Sequence, residues 1–241
     1  AYPSVNGLII VIKEGKWGII NMLNDVIVEP QYCIIDFLDS SLARVGKSGD
    51  DYHIYFQEDR RVKNTKYGLI DTTGEVVLPL EYEHIELWDN GYYYVENGTM
   101  HQILSPCLKV AIDLQGKGCE KLDNRYIVVN ETSSKYSKHC SLIDFHGNEI
   151  ITESFYEIEV LDNGFLKVIF NERNIGIIDQ RGKEIYRNDD CVDISLIGNG
   201  YLLVKRVGGN SPYVYNVANF QGKELFEYFF LNEIRLLEDG N

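Results

Sequence analysis

Leu69-Ile70-Asp71-Thr72-Thr73-Gly74 is the stretch on which the fold turns: an apolar run ending in Asp, two variable residues, then Gly. The phrase returns at Ala111-Ile112-Asp113-Leu114-Gln115-Gly116, Leu142-Ile143-Asp144-Phe145-His146-Gly147 and Ile177-Ile178-Asp179-Gln180-Arg181-Gly182. Looser copies stand at Val217-Ala218-Asn219-Phe220-Gln221-Gly222 and Ile19-Ile20-Asn21-Met22-Leu23-Asn24. Six copies on one chain point to architecture rather than to a catalytic centre. Asp favours the first position of a type I turn, where its side chain accepts from amides ahead, and Gly supplies the left-handed residue that closes a hairpin. A calcium loop needs several oxygen ligands at alternate positions, whereas each copy offers one carboxylate. The phrase therefore reads as a hairpin turn.

Working outward, a second landmark accompanies each copy, a turn followed by a strand. It reads Trp88-Asp89-Asn90-Gly91-Tyr92-Tyr93-Tyr94-Val95, Leu161-Asp162-Asn163-Gly164-Phe165-Leu166-Lys167-Val168 and Ile197-Gly198-Asn199-Gly200-Tyr201-Leu202-Leu203-Val204, with looser copies from Leu38 and Leu122. The strand has period two. One face carries Ile9/Val11, Ala43/Val45, Tyr93/Val95, Ile127/Val129, Leu166/Val168 and Leu202/Val204. The other carries Leu8/Ile10, Leu42/Arg44, Tyr92/Tyr94, Tyr126/Val128, Phe165/Lys167 and Tyr201/Leu203. Two largely apolar faces ask for sheets stacked on sheets. After the D-x-x-G turn comes a return strand (76–78, 149–151, 183–186), then an aromatic-led segment such as Tyr32-Cys33-Ile34-Ile35 or Tyr82-Glu83-His84-Ile85. Three or four short strands per unit make one β-propeller blade or one rung of a β superhelix.

Composition agrees. The 241 residues are 44% hydrophobic, with 17 Tyr and 10 Phe, which is strand chemistry. A net charge of −14, with Lys and Arg scattered, offers no basic track for phosphates, so no nucleic-acid partner is expected. The longest apolar runs, such as 8–12, are strand-sized against the ~20 residues a helix needs to cross a bilayer, so no membrane insertion is expected. Five cysteines (Cys33, Cys107, Cys119, Cys140, Cys191) without C-x-x-C spacing argue against a disulfide framework and a zinc knuckle. They are expected as buried small hydrophobes, Cys191 in a repeat core column shared with Tyr156. The chain begins at Ala1, which reads as a mature or trimmed form, cytoplasmic or exported with its signal removed.

Gly15-Lys16-Trp17-Gly18-Ile19-Ile20-Asn21, with 26–32 and 42–45 after it, resembles the bacterial WG-repeat (KWG) pattern, and Tyr67-Gly68-Leu69-Ile70-Asp71 through Pro79 and Tyr82 is a second match. Units four and five keep the Ile-Asp, Gly and D-N-G or G-N-G landmarks but lose the aromatic-Gly opening, and units three and six are weaker. The resemblance implies a β-rich repeat serving as an interaction or structural module, with no catalytic residues to transfer.

The fold class expected is all-β, one domain over 1–241 with six meander-like units at roughly 13–47, 66–97, 102–131, 139–170, 174–207 and 213–241 plus 7–12. The insertion 48–65 reads as a projecting hairpin. The chain ends on a turn lacking its strand and begins on that strand lacking its unit. A propeller-like ring in which the N-terminal strand completes the last unit is therefore favoured, with an open β superhelix as the alternative.

No chemistry stands out. Gly46-Lys47-Ser48 resembles the end of a phosphate loop, but Ser41 stands where that motif needs Gly. The five histidines fall in different columns without metal spacing. No catalytic, cofactor-binding or metal-binding residue is assigned, and no cofactor is expected. Trp88 and Tyr93 match core columns. Arg44, Tyr94 and Lys167 share a column of mixed character and are the candidate partner-binding residues. The leading functional reading is a non-enzymatic scaffold for a protein, peptide or glycan. The alternative is a propeller-type carbohydrate-active hydrolase or glycan-binding module, whose carboxylate pair one dimension does not mark.

Overall fold

The computed structural model describes residues 4–48, 65–130, 140–161, 164–198, 200–207 and 213–229. Among them every regular element is a strand, and the strands form six four-stranded antiparallel sheets, each a meander in chain order. The first sheet is β1 (Ser4–Val5), β2 (Leu8–Lys13), β3 (Lys16–Asn21) and β4 (Val26–Tyr32); the second is β5 (Ile34–Phe37), β6 (Leu42–Ser48), β7 (Thr65–Asp71) and β8 (Val76–Tyr82). The third is β9 (His84–Leu87), β10 (Tyr93–Asn97), β11 (Met100–Leu104) and β12 (Val110–Asp113). The fourth holds β13 (Cys119–Lys121), β14 (Tyr126–Asn130), β15 (Cys140–Asp144) and β16 (Glu149–Phe155). The fifth holds β17 (Glu157–Val160), β18 (Leu166–Asn171), β19 (Asn174–Ile178) and β20 (Glu184–Asn188), and the sixth β21 (Cys191–Gly198), β22 (Tyr201–Val207), β23 (Tyr213–Asn219) and β24 (Glu224–Phe229). The chain divides into two compact units, Ala1–Gly116 and Lys117–Asn241, with three sheets in each.

The D-x-x-G phrase forms the turn between the third and fourth strands in five of the six sheets; in the third sheet Ser105–Lys109 makes that turn, and Asp113 instead ends the fourth strand, β12, against the hairpin expected there. Asp71 Oδ1 accepts from the amides of Thr73 (2.8 Å) and Glu75 (3.0 Å), and Gly74 closes the hairpin at φ 86°. Asn21, Asp144, Asp179 and Asn219 repeat both bonds. The turn at Asp113 departs from them. There the Leu114 amide donates to His101 O, and Gln115 joins Gly116 in the left-handed region, at φ 52° and 82°.

Sheet boundaries do not follow the repeat. The aromatic-led segment expected as one piece is split: Tyr32 ends β4, the Cys33 amide crosses to Gly46 O, and Ile34 begins the next sheet. Glu83 and Tyr156 make the same crossing. Each later sheet thus draws its first two strands from one repeat and its last two from the next. Strand β2 lies in the first sheet between β1 and β3; its expected seam with the last repeat rests on residues 230–241, outside the described residues. The expected hairpin at 48–65 likewise falls on 49–64, outside them.

The aromatic-Gly pair has a local cause. Trp17 and Ile19, two residues apart, face Tyr32 and Val28, four apart, and Tyr67 and Leu69 face Tyr82 and Leu78 in the same way. The surplus residues, Pro30 and Pro79 among them, bulge toward the glycine, and proline suits a place outside the ladder. A Cβ on Gly18 would stand 2.5 Å from Val28 O, and one on Gly68 2.6 Å from Leu78 O. In the fifth sheet Ile175 and Ile177 face Asn188 and Tyr186 without that bulge.

Within each unit successive sheets pack face to face. Ile10, Ile19 and Val28 of the first sheet meet Ala43, Val45 and Ile70 of the second, whose opposite face (Leu69, Leu78, Tyr82) meets Ile85, Val95 and Leu104. In the second unit Leu142 and Phe155 meet Leu166 and Val168, while Ile177 and Tyr186 meet Ile194 and Val204. Consecutive residues are buried along β10 and β14, Tyr93–Val95 and Tyr126–Val129. Full burial of one such side chain contributes roughly 1.5–3 kcal/mol.

Two expectations are corrected. Cys140 and Cys191 are buried, but Cys107 is exposed in the turn after β11, and Cys33 and Cys119 are half-buried. Cys191 is core, yet Tyr156 at the same offset is 43% exposed; the Tyr156 amide donates forward to Ile169 O and the Cys191 amide back to Arg173 O, so the two do not share one column.

Candidate functional site

The Arg44, Tyr94 and Lys167 column lies on the second strand of its sheets, on the face turned away from the preceding sheet. Opposite each residue on the first strand stands a carboxylate: Asp36 faces Arg44, Glu86 faces Tyr94, and Glu159 faces Lys167. Arg44 donates from Nη2 to Asp36 Oδ2 (2.8 Å) and from Nη1 to Ile85 O of the next sheet (2.9 Å), with its guanidinium over the Tyr67 ring. Lys167 Nζ donates to Asp193 Oδ1 of the next sheet at 2.5 Å and lies 3.9 Å from Glu159. Both cations therefore link successive sheets.

Tyr94 is 6% exposed. Its hydroxyl donates to Glu96 Oε1 (2.7 Å) and lies 2.8 Å from His101 Nδ1, while its ring stacks on Trp88. Trp88 and Tyr93 are buried, as the core columns require. Within the first unit Arg44 and Tyr94 do not share a patch. Arg44 faces the third sheet, Tyr94 lies on the far face of that sheet, and Lys167 belongs to the second unit.

The interface of the fifth and sixth sheets holds a polar network. Glu224 accepts from Tyr186 Oη (2.9 Å), from Asn216 Nδ2 (2.9 Å) and from Arg206 Nη2. Burial, chiefly, pushes the Tyr186 phenol up to about 12, the Glu224 carboxylate adding to it and Arg206 opposing it. Burial likewise raises the Cys191 thiol to about 11, so it stays protonated and unreactive at neutral pH.

Sequence reasoning missed a cleft in the first unit. It has a volume of about 530 Å³ and opens widely to solvent, between the Leu38–Leu42 turn of the second sheet and the Leu87–Gly91 turn of the third. Leu38, Leu42, Leu87 and Tyr93 lie along it, with Trp88 and Pro106 beside them and the exposed Asp39 and Asp89 at its rim. Asp39 Oδ1 accepts from the Ser41 and Leu42 amides (2.6 and 2.8 Å). Burial would raise the Asp39 carboxyl, but those bonds and the one from the Ser41 hydroxyl outweigh it and hold the group below its ordinary range. The corresponding cleft between the first two sheets has a volume of only about 10 Å³. No sequence signal marks it, because the Asp39-Ser40-Ser41 turn that lacks Gly lines the smaller cleft on its other side as well.

Among the described residues no group of three or more His, Cys, Asp or Glu could hold a metal ion, and no helix is long and apolar enough to cross a membrane. A comparison with curated proteins gives no match. Solved structures similar to the chain include a eukaryotic initiation factor (8% identity, 93% of this chain and 63% of that one, TM-score 0.41). Others are BamB from Moraxella catarrhalis (12%, 84% and 68%, 0.33) and a protein of unknown function from Bacteroides caccae (13%, 91% and 92%, 0.26). The chain thus spans 63% of the length of the initiation-factor chain it matches. The WG containing repeat family model matches residues 17–49 and 67–98, the two stretches in which the aromatic-Gly pair faces its proline bulge. Over those stretches the chain carries WG-type β repeats.

Proposed function

We propose that this chain is a non-enzymatic binding scaffold whose stacked β units present a surface to a protein, peptide or glycan. The observation that carries the reading is how the repeat spends its polar groups. The recurring Asp and Asn residues bond their own turns, and Arg44 and Lys167 bond neighbouring sheets, so the repeated chemistry serves stacking. An open cleft remains between two turns of the first unit, lined largely by the landmark residues themselves. A concave apolar floor with a few polar groups at the rim is how binding sites are commonly built.

The test is to screen the whole chain against peptide and glycan arrays and to assay the hits for turnover. The scaffold reading expects saturable binding with the ligand recovered intact. Release of cleaved sugar or peptide would contradict it and favour the hydrolase alternative.

A further inference from the structure

We infer that the cleft between the Leu38–Leu42 and Leu87–Gly91 turns docks a cationic peptide segment, one Lys or Arg side chain entering between Asp39 and Asp89. The inference rests on the scaffold reading and names its partner class.

Charge complementarity carries it. Among the described residues that line the cleft, the charged ones are both carboxylates, and most of the others are apolar. A guest must therefore combine an aliphatic or aromatic body with a positive tip, which is what a Lys or Arg side chain is: a stem that packs on Leu38, Leu42 and Leu87 and a head that stays with the carboxylates. The negative field reaches inward, since Asp39 contributes, after burial, to raising the phenol of Tyr93 on the cleft floor. The chain's net charge of −14 steers a cationic partner toward it and repels an acidic one. The narrower cleft between the first and second sheets shows that the repeat closes this space elsewhere in the same unit.

Fluorescence anisotropy of a labelled lysine-leucine peptide, beside its glutamate-for-lysine counterpart, tests the inference on the whole chain. Asp39→Asn with Asp89→Asn removes both charges while keeping the oxygen that accepts from the Ser41 and Leu42 amides. Glu172→Gln with Glu157→Gln, both exposed in the second unit, removes the same two charges elsewhere and controls for bulk charge. The lysine peptide should bind, the glutamate peptide should not, and the double variant should weaken binding about tenfold, with the control within about twofold. Equal affinity for both peptides, or equal loss in both variants, would overturn the inference. If the double variant loses its melting transition, NMR shifts in the unaltered chain decide, and shifts centred away from 38–42 and 87–91 refute it. Binding of other peptides or glycans with the cleft silent overturns this inference alone. Absence of binding across both arrays overturns the scaffold reading.

Discussion

The interface between the second and third sheets and that between the fifth and sixth come from the same repeat column, yet they are tied by different chemistry. Leu69 and Ile177 occupy equivalent places, each opposite the column cation and each fully buried. The cations diverge from there. Arg44 reaches a backbone carbonyl, Ile85 O, which no side-chain change removes. Lys167 reaches the carboxylate of Asp193, and beside it the second interface adds the Tyr186, Arg206, Asn216 and Glu224 network. The apolar columns thus set the stacking, while the polar ties are fitted to whatever acceptor the next sheet offers.

The largest effect that tests this equivalence is truncation of the shared column. Leu69→Ala and Ile177→Ala should each cost about 2–5 kcal/mol in chemical denaturation. A large loss at one and a negligible loss at the other would break the comparison. The bulge should separate the two regions next. Gly68→Ala forces a Cβ to 2.6 Å from Leu78 O, whereas at Gly176 the nearest atoms are Phe170 Cε2 at 3.1 Å and Tyr186 O at 3.4 Å. Gly68→Ala should therefore cost about 1–3 kcal/mol more than Gly176→Ala, read from the shift in denaturation midpoint.

Alkaline titration gives a smaller contrast. Tyr82 and Tyr186 both have phenols raised by burial, and Tyr186 rises furthest, to about 12. A folded pKa above the unfolded value of 10 leaves stability intact below pH 10 and erodes it as pH climbs toward 12. Tyr186→Phe should remove more of that slope than Tyr82→Phe, by on the order of 1 kcal/mol at pH 12. The smallest effect lies at the turn feeding the second sheet. The Thr73 hydroxyl first, then backbone amides, hold the Asp71 carboxyl below 3.8 against slight desolvation, so its contribution is present above that pH and lost below it. Asp71→Asn keeps the acceptor and should flatten the acid limb with little change at neutral pH.

Much of the fold was legible because turn chemistry is local: Asp71 and Gly74 act on amides within four residues. Sheet boundaries were not, because the chain crosses between sheets at Cys33, Glu83 and Tyr156, positions with no common side chain. The mixed column was visible, and one of its partners left a signal, an acid eight residues upstream at Asp36, Glu86 and Glu159. The forward partners left none: Ile85 O is a backbone atom, and Asp193 is set by the docking of a separate sheet. The cleft arises where two turns about fifty residues apart meet, so only the folded unit reveals it.

The central claim is that the column cations join successive sheets. A double-mutant cycle on Lys167→Met and Asp193→Asn by chemical denaturation tests it most directly. A coupling of about 1 kcal/mol is predicted, above the roughly 0–0.5 kcal/mol expected for the Arg44 and Asp36 pair, whose cation is more exposed and which lies within one sheet. Zero coupling at Lys167 and Asp193, with both single variants as stable as the parent, would contradict the account.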